Sequence, residues 1–296
     1  MLRKLHLALA IGSITVLIFS FCGFSHPIGD SLAVFQLPFG FLSLIIVLSL
    51  RSGRLFKIGA IVLLLTAMVQ IAHRVKHDDV SNPQIKVYQK NLSFRIRDVG
   101  PLAEDILEQG GVDFITFQEV TDRNSGVMTN LADSFPTQHT CPFAGVGGTA
   151  VLSRWPVIEG TKMCFDRDGA STMKVNTDNG EFWIISVHLN WPYPYRQAEQ
   201  VKRLSPRIQK LEGPKIVAGD FNMVPWSYTM HRVAKDAQAK RVGKVEPTFD
   251  LPGIPMGVAI DHVLSPKNTT GATYVRPKFG SDHYGLIAHI SLGNED

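Results

Sequence analysis

The chain has 296 residues, is 45% hydrophobic, has a mean hydropathy of +0.06 and carries a formal net charge of +4 at pH 7. The positive charge is confined to residues 1–74, which hold six Lys or Arg and one Asp or Glu, so that the remainder holds 24 basic and 25 acidic residues. This nearly neutral remainder excludes a polycation that grips long nucleic acid through many phosphates.

Three apolar stretches lie at the amino-terminal end, at residues 5–24, 32–50 and 55–72. The first two contain no charged residue and the third contains only Lys57. Each is close to the roughly 20 residues needed to cross a bilayer. We therefore predict three transmembrane helices, a membrane anchor over residues 1–74 and a polar linker over residues 75–83. A cleaved signal peptide is the alternative interpretation of the first stretch, but its length and the two stretches that follow favour an anchor.

The positions of Lys and Arg predict how the anchor is oriented. Residues 51–57, between the second and third stretches, contain Arg51, Arg54 and Lys57, whereas residues 25–31 contain neither Lys nor Arg. By the positive-inside rule, the amino terminus and residues 51–57 face the cytoplasm, and the rest of the chain lies outside it. Arg74 runs against the rule.

Residues 84–292 are predicted to form one domain. Alternating or continuous apolar runs predict strands at 85–91, 113–119, 147–154, 157–163, 171–176, 181–188, 216–218, 258–264, 272–275 and 284–290. Helical spacing predicts helices at 98–109, 123–134 and 195–211. Cys141 and Cys164 are either bridged or two unpaired buried thiols, and the Cys and His spacing is not that of a zinc site.

The strand at 216–218 is followed by the most informative turn of the chain. Gly219 allows a tight turn, after which Asp220 and Asn222 emerge past the end of the strand. A carboxylate and an amide in that position can orient a water molecule, or hold an oxyanion or a metal. The alternative is a capped turn without a catalytic role, because Asp and Asn favour turns for local reasons.

Polar side chains recur at the predicted strand ends, and we expect them to converge on one site. They are Asn91, Glu119, His188, Asp220, Asn222, Asp261, Asp282 and His283.

If these side chains converge, Glu119 offers oxygen ligands for Mg²⁺ or Mn²⁺, with help from Asn91 or Asp282.

The remaining residues suggest proton transfer and contact with a phosphate. Asp220, held by Asn222, could orient or deprotonate a water molecule. His283, with its tautomer set by Asp261, and His188 could contact a phosphoryl oxygen. The reaction predicted is metal-assisted attack of water on a phosphoester.

The ordered motifs resemble the signatures of the endonuclease/exonuclease/phosphatase superfamily, which includes nucleases, neutral sphingomyelinases and inositol-polyphosphate 5-phosphatases. They are Gln118-Glu119, Ser186-Val-His188-Leu, Gly219-Asp220-Phe-Asn222, Ile260-Asp261-His262-Val and Gly280-Ser-Asp282-His283. The resemblance spans residues 85–290 and implies an α/β fold: a four-layer α/β sandwich of two packed β-sheets flanked by helices, with the site at one edge. The preceding spans resemble those of bacterial membrane-anchored members.

The resemblance implies the same division of roles, with His188, Asp220, Asn222, Asp261 and His283 catalytic. Glu119, Asn91 and Asp282 would lie at a Mg²⁺ ion, for which Mn²⁺ is an alternative. One departure is Ser93, which stands where some nucleases carry a further acidic metal ligand.

The aromatic segment at residues 191–196 is expected to line the substrate groove through Tyr195 and Arg196, and Arg196 to bind a phosphate. Local packing is the alternative role for these aromatic residues.

These expectations describe a membrane-anchored phosphodiesterase or phosphomonoesterase in the bacterial inner (cell) membrane, with a periplasmic or extracytoplasmic domain. Its expected partners are the bilayer, through three spans, and a phosphoester substrate, either a phospholipid or sphingolipid head group or a nucleic acid. No stable protein partner is predicted. The alternative is a catalytically silent binding or scaffold module of the same fold.

Overall fold

The computed structural model describes residues 2–49, 53–75, 80, 82–253 and 256–293. Its helices are α1 (Leu2–Phe19), α2 (Pro27–Ala33), α3 (Gln36–Ser49), α4 (Arg54–Val75), α5 (Gly100–Glu108), α6 (Gly126–Asn130), α7 (Gln197–Gln209) and α8 (Tyr228–Asp236). Its strands are β1 (Ile85–Asn91), β2 (Phe114–Val120), β3 (Thr137–Cys141), β4 (Gly148–Ser153), β5 (Met163–Phe165), β6 (Ala170–Thr177), β7 (Gly180–His188), β8 (Lys215–Asp220), β9 (Ala239–Arg241), β10 (Phe249–Asp250), β11 (Gly257–Val258), β12 (Asp261–Pro266), β13 (Thr269–Arg276) and β14 (Gly285–Leu292).

Two six-stranded sheets form the domain, in the orders β13-β14-β1-β2-β4-β3 and β5-β6-β7-β8-β12-β9. Near the middle of each sheet two strands run parallel, β1 with β2 and β7 with β8, and the strands beside them are antiparallel. Because of this arrangement, the carboxyl ends of the parallel strands and the beginnings of β12 and β14 meet at one edge of the sandwich. The polar strand ends that the sequence singles out lie at this edge.

The apolar alternation of each strand decides which layer it packs against. In β8, Ile216 and Ala218 point into the core between the two sheets, whereas Val217 points into the core on the helix side. A strand covered on both faces reads as a continuous apolar run, as this one does. Helices α5 and α6 cover the first sheet, and α7 and α8 cover the second. The predicted four-layer α/β sandwich is confirmed.

Three predicted elements differ from the structure. The strand predicted at 258–264 is two strands, β11 and β12, which belong to different sheets. The strand predicted at 157–163 is wrong, because Val157 makes a single bridge to Val175 and the chain then turns at Gly160, whose φ is 75°. The helix predicted at 123–134 is reduced to α6, since the Asn124 side chain accepts a hydrogen bond from the Thr121 N–H at 2.7 Å and holds the preceding residues in a turn.

The amino-terminal helices pack on one another and carry an apolar exterior. Ala10, Val47 and Ala60 form the contact between α1, α3 and α4, and most of the large exposed apolar side chains of the described residues lie on these three helices. Within the described ranges, one helix is long and apolar enough by itself to cross a bilayer, over Arg54–Ala72. Helices α2 and α3 meet the same criteria only as a pair, bent by 80°, and the apolar part of α1, Lys4–Phe19, is shorter.

A disulfide joins Cys141 in β3 to Cys164 in β5, so the bridged alternative for these two residues is the one present. Because β3 and β5 are edge strands of different sheets, the bridge ties one sheet to the other. Cys22 is a free thiol.

Removal of this bridge should destabilise the domain. Cross-linking two residues 23 apart in sequence restricts the unfolded chain, which is worth about 3 kcal/mol. We expect Cys141→Ala/Cys164→Ala to lower the thermal unfolding midpoint of the full chain in detergent by roughly 5–10 °C, measured by tryptophan fluorescence, and Cys22→Ala to leave it unchanged. An equal midpoint for both variants would show that the bridge contributes no stability.

Candidate active site

The edge where the strands meet collects side chains from both sheets. The residues placed there are Asn91 and Glu119 from β1 and β2, His188 and Asp220 from β7 and β8, Asp261 from the start of β12, and His283 from the turn before β14. In the second sheet, His188, Asp220 and Asp261 lie side by side, because Asp220 pairs with both of the others in the strand register.

The turn predicted at Gly219 is wrong, because Gly219 and Asp220 still pair with Val187 and His188 as residues of β8, and the chain turns only after Asp220. A Cβ on Gly219 would overlap the carbonyl of Val187, so only glycine allows β8 to approach β7 this closely. Asn222 has a φ of 48°, and its backbone N–H donates to Asp220 Oδ1 at 2.8 Å. Asn222 Nδ2 donates to the Leu189 carbonyl at 2.8 Å, which fixes the turn against the end of β7.

The carboxylate of Asp220 is the centre of the site. Asn91 Nδ2 donates to Asp220 Oδ2 at 3.0 Å, and His188 Nε2 and His283 Nε2 lie 3.6 and 3.7 Å from the same oxygen. Asn91 Nδ2 also lies 3.3 Å from Glu119 Oε1. One amide nitrogen therefore touches a carboxylate from each sheet, which brings Glu119 to the residues of the second sheet.

A buried polar network holds the orientation of His283. Its Nδ1 lies 2.9 Å from Asp261 Oδ2, and Gln89 Nε2 donates to Asp261 Oδ1 at 2.9 Å. Gln89 Nε2 also donates to Gln118 Oε1 at 2.8 Å, and Gln118 Nε2 donates to Ser186 Oγ at 3.0 Å. Asp261 is thus fixed from behind by side chains of β1, β2 and β7.

The sequence analysis missed Gln89, although a signal for it was present. Ile85 and Val87 occupy the positions of β1 that face the core between the sheets, and Gln89 is the next position of that alternation. A polar side chain at an inward-facing strand position is fully buried here and requires a partner.

Burial and neighbouring charges shift the pKa values of Asp220, His283 and His188 in different directions. Burial raises the pKa of Asp220 to about 7, although the nearby charge of His283 opposes this rise. Burial by itself would lower the pKa of His283, but the carboxylates of Asp261 and Asp220 raise it to about 9. Burial, together with the nearby charge of His283, lowers the pKa of His188 to about 4. At neutral pH the site therefore holds an imidazolium at His283 and a neutral imidazole at His188.

A cavity of about 620 Å³ opens in front of these groups. Eight of the ten predicted site residues line it, namely Glu119, His188, Tyr195, Arg196, Asp220, Asn222, Asp282 and His283. The other two, Asn91 and Asp261, lie directly behind and are bonded to lining residues. The predicted set is therefore brought together at a single cavity.

Aromatic residues that the sequence did not point to complete the wall. The Phe249 ring lies 4.9 Å from the His283 ring and 5.7 Å from the Trp191 ring. The Phe143 ring meets the His188 ring edge-on at 5.7 Å. Phe143 and Phe249 lie in segments without hydrophobic periodicity, so no sequence pattern placed them at the site.

The carboxylates of the cavity suit a divalent cation. Burial raises the pKa of Glu119, and the negative charge of Asp282 raises it further, so a cation between the two would relieve this repulsion. Asn222 Oδ1 is buried and has no hydrogen-bond partner among the described residues. It therefore offers one more oxygen atom at the cavity that could bind a cation. Asn91 turns its amide nitrogen toward Glu119, while its Oδ1 accepts the Ser93 N–H at 2.9 Å.

Two groups of three His, Cys or Asp residues in the described part of the chain lie close enough to hold a metal. In the group of His139, Cys141 and Cys164, both sulfur atoms belong to the disulfide. The other group is Asp220, Asp261 and His283, where the Asp261 carboxylate and His283 Nδ1 already bond each other. Glu119 and Asp282, at which the sequence predicts the metal, belong to neither group.

The fold and this edge site define a class of α/β-sandwich proteins with acid, amide and imidazole groups at the strand ends. The model of the Endonuclease/Exonuclease/phosphatase family matches residues 100–283, and the chain belongs to that family. No curated protein sequence matches the chain.

Solved structures share the fold at low sequence identity. β toxin from Staphylococcus aureus is 15% identical with a TM-score of 0.52, over 69% of this chain and 99% of that one. Sphingomyelinase C from Streptomyces griseocarneus is 18% identical with a TM-score of 0.51, over 72% of this chain and 100% of that one. D. rerio TDP2 in complex with a single-stranded DNA product is 17% identical with a TM-score of 0.54, over 70% of this chain and 98% of that one.

The close approach of β8 to β7 at Gly219 gives a direct test of the geometry. We expect Gly219→Ala to lower the thermal unfolding midpoint at least about twice as much as Gly213→Ala, because overpacking adds to the cost of a positive φ. Gly213 is a matched control, since it precedes β8 with a φ of 100° but a Cβ there meets no atom within 4 Å. Equal losses for the two variants would contradict the close approach of β7 and β8.

Proposed function

We propose that this protein is a membrane-anchored, divalent-metal-dependent phosphoesterase that hydrolyses a phosphodiester or phosphomonoester. The observation that carries this proposal is the position of the Asp220 carboxylate, which faces both His188 and His283 and is joined to Glu119 through Asn91 at one cavity. Membership of the family supports the reaction class, because its name covers nucleases and phosphatases.

The metal site in this proposal consists of Glu119 and Asp282, with Asn91 as a neighbour that holds Glu119 in place. A divalent ion bound there would polarise a phosphoryl oxygen and neutralise the charge that develops on it. Mg²⁺ suits these hard oxygen donors, and Mn²⁺ is the alternative. A β toxin structure with bound magnesium ions shares the fold, at 14% identity and a TM-score of 0.50.

Asp220 is proposed to orient and deprotonate the attacking water. Its pKa of about 7 makes it a stronger base than an exposed carboxylate, and it is held by donors from Asn91 and Asn222. Asn222 Oδ1, which has no partner within the described residues, can accept a hydrogen bond from the second O–H of that water.

His283 and His188 are proposed to contact the phosphate. His283 is protonated at neutral pH, with Asp261 bonded to its Nδ1, so its Nε2–H can donate to a phosphoryl oxygen. Arg196 and Tyr195 line the same cavity and would bind the rest of the phosphate or the leaving group. The bond to Asp261 holds His283 in place before substrate arrives, which is the requirement for electrostatic stabilisation.

The anchor is proposed to cross the bacterial inner membrane three times and to place the domain outside the cytoplasm. The disulfide between Cys141 and Cys164 supports an oxidising compartment. The predicted loop between the first two spans contacts the domain, since Asp30 accepts the Tyr228 N–H at 2.7 Å. A loop and a domain in contact must lie on the same side of the membrane, as the predicted orientation requires.

The catalytic assignment predicts metal-dependent turnover of a simple phosphodiester. The full chain in detergent should hydrolyse bis(p-nitrophenyl) phosphate with Mg²⁺ or Mn²⁺ and lose this activity in EDTA. Asp220→Ala and His283→Ala should each lower kcat on the order of 10²-fold or more, because each removes a positioned proton-transfer or donor group.

The controls for this experiment are Asp178→Ala and His289→Ala, which lie away from the cavity and should keep full activity. Turnover that persists in Asp220→Ala would refute the assigned role of this residue. Absence of metal-dependent turnover on this diester, on plasmid DNA and on sphingomyelin would favour a catalytically silent binding module.

The orientation predicts the outcome of fusions at the carboxyl end. Alkaline phosphatase fused after residue 296 should be active, and green fluorescent protein at the same place should be dark, because only the former folds outside the cytoplasm. Fusions at residue 52, between the second and third spans, should give the reverse result. A fluorescent fusion at the carboxyl end would overturn the proposed orientation.

A further inference from the structure

The segment between the first two anchor helices is bonded into the domain. The carboxylate of Asp30 in α2 accepts the N–H groups of Tyr228 and Thr229 at 2.7 and 2.9 Å, and so caps the amino terminus of α8. Trp226 Nε1 donates to the Ala33 carbonyl at 2.7 Å. These bonds fix the orientation of the domain relative to the anchor at the start of α8.

The last turns of α4 make a second attachment at the same place. Gln70 Nε2 donates to the Trp226 carbonyl at 3.1 Å. Gly23 is packed so closely that a Cβ there would overlap the Asp30 side chain and touch Tyr228. Two separate parts of the anchor thus hold the segment that leads into α8.

This junction adjoins the wall of the cavity. Ser31 Oγ donates to the Tyr193 carbonyl at 2.9 Å, and the His26 ring meets the Tyr193 ring edge-on at 5.6 Å. Tyr193 lies between Trp191 and Tyr195, which both line the cavity. The anchor therefore contacts the segment that forms one side of the cavity mouth.

A second contact reaches the catalytic groups through the core. Val34 packs against the cluster that contains Phe249. The Phe249 ring lies 4.9 Å from the His283 ring. The anchor thus packs against the same small cluster as Phe249, whose ring contacts the proposed catalytic His283.

Exposed apolar side chains concentrate around this junction. Outside α1, α3 and α4, the described residues include eight large hydrophobic side chains that are exposed, and six of them lie at the junction or in the segment that it holds. We call these six the apolar lip: Phe24, Ile28, Trp191, Tyr193, Tyr195 and Tyr228. The other two, Leu107 and Tyr274, lie elsewhere on the domain.

The apolar lip has the composition of a surface that lies at a membrane interface. Trp and Tyr are favoured there because an apolar ring enters the bilayer boundary while a polar group stays wet. Phe24 is 70% exposed and follows α1 by only a few residues, so the lip continues the apolar exterior of the anchor helices.

We propose that the apolar lip lies on the head-group layer of the bilayer that holds the anchor, so that the cavity opens at the membrane surface and takes the phosphoester head group of a lipid from that bilayer. This inference rests on the proposed phosphoesterase function. The water oxygen forms a new bond to phosphorus, one ester P–O bond breaks, and the departing alcohol carries one of the two protons of the water. The reaction needs no further reactant.

The charge of the domain favours a lipid over a nucleic acid. A strand of nucleic acid is gripped through several phosphates along a basic track. The residues lining the cavity include three cationic side chains, Arg95, Arg196 and the protonated His283, beside three carboxylates, and the chain beyond residue 74 is nearly neutral. One phosphate in an apolar mouth is the chemistry of a lipid head group.

The test compares a lipid with a soluble substrate on the same protein. The full chain is reconstituted into vesicles of equimolar phosphatidylcholine, phosphatidylethanolamine, phosphatidylglycerol and sphingomyelin with Mg²⁺. Lipid products are measured by mass spectrometry and bis(p-nitrophenyl) phosphate turnover by absorbance. We expect Phe24→Ser/Ile28→Ser to reduce lipid hydrolysis roughly tenfold, because two groups leave the bilayer boundary, and to keep soluble turnover within about twofold.

A matched control is Leu107→Ser/Tyr274→Ser, which removes two exposed apolar side chains away from the junction and should change neither rate. Asp30→Ala should lower the ratio of lipid to soluble turnover, because the anchor no longer fixes the mouth. Asp113→Ala is its control, since Asp113 also accepts two N–H bonds, from Lys86 and Trp155, far from the junction, and this variant should keep the ratio.

The outcomes separate this inference from the proposed function. If the wild-type chain turns over neither substrate, the phosphoesterase function itself fails. The membrane-surface inference is overturned, and the function stands, if soluble turnover is present but no lipid product forms. It is also overturned if Phe24→Ser/Ile28→Ser leaves the ratio of lipid to soluble turnover unchanged. Faster cleavage of a single-stranded oligonucleotide than of any lipid would overturn it in favour of nucleic acid.

Discussion

The side-chain amide of Asn91 is the contact on which the site depends, because it bonds Glu119 of its own sheet and Asp220 of the other. It can do so because each sheet has one pair of parallel strands whose carboxyl ends meet at the same edge. That edge is where open α/β sheets place their ligands. Without this contact, the proposed metal ligand and the proposed base would belong to two separate surfaces.

The buried charges at this edge are stable only as a network. Asp220 and Asp261 would each be costly to bury alone, but His283 lies between them as a cation and Gln89 donates to Asp261 from behind. The network therefore orients the groups and also sets their ionisation. The pKa of Asp220 lies at about 7, and His283 is protonated at neutral pH. In a solvent-filled cleft, the pKa values of Asp220 and His283 could not be shifted in this way, because water would screen the charges and no group would be desolvated.

Local patterns were sufficient to predict the elements that carry the site. The alternation of β1 and the continuous apolar run of β8 both predict strands, and the structure agrees with both. The turn predicted at Gly219 is wrong, because Gly219 and Asp220 are paired residues of β8. The strand expected at 157–163 fails because its pairing depends on the neighbouring strand and not on its own residues. Phe249 could not be predicted, since a two-residue strand leaves no periodicity to detect.

By itself, the sequence determined the polar strand ends and the apolar amino-terminal stretches, because each of these follows from residue spacing along a single segment. The α/β sandwich was implied by the resemblance of the ordered motifs to a known family. Only the tertiary structure decided that one amide would join Glu119 to Asp220, that Gln89 would hold Asp261, and that Asp30 would cap α8 beside the cavity. These contacts join residues far apart in the chain, and their partners are chosen by how the sheets and helices pack, which no local pattern records.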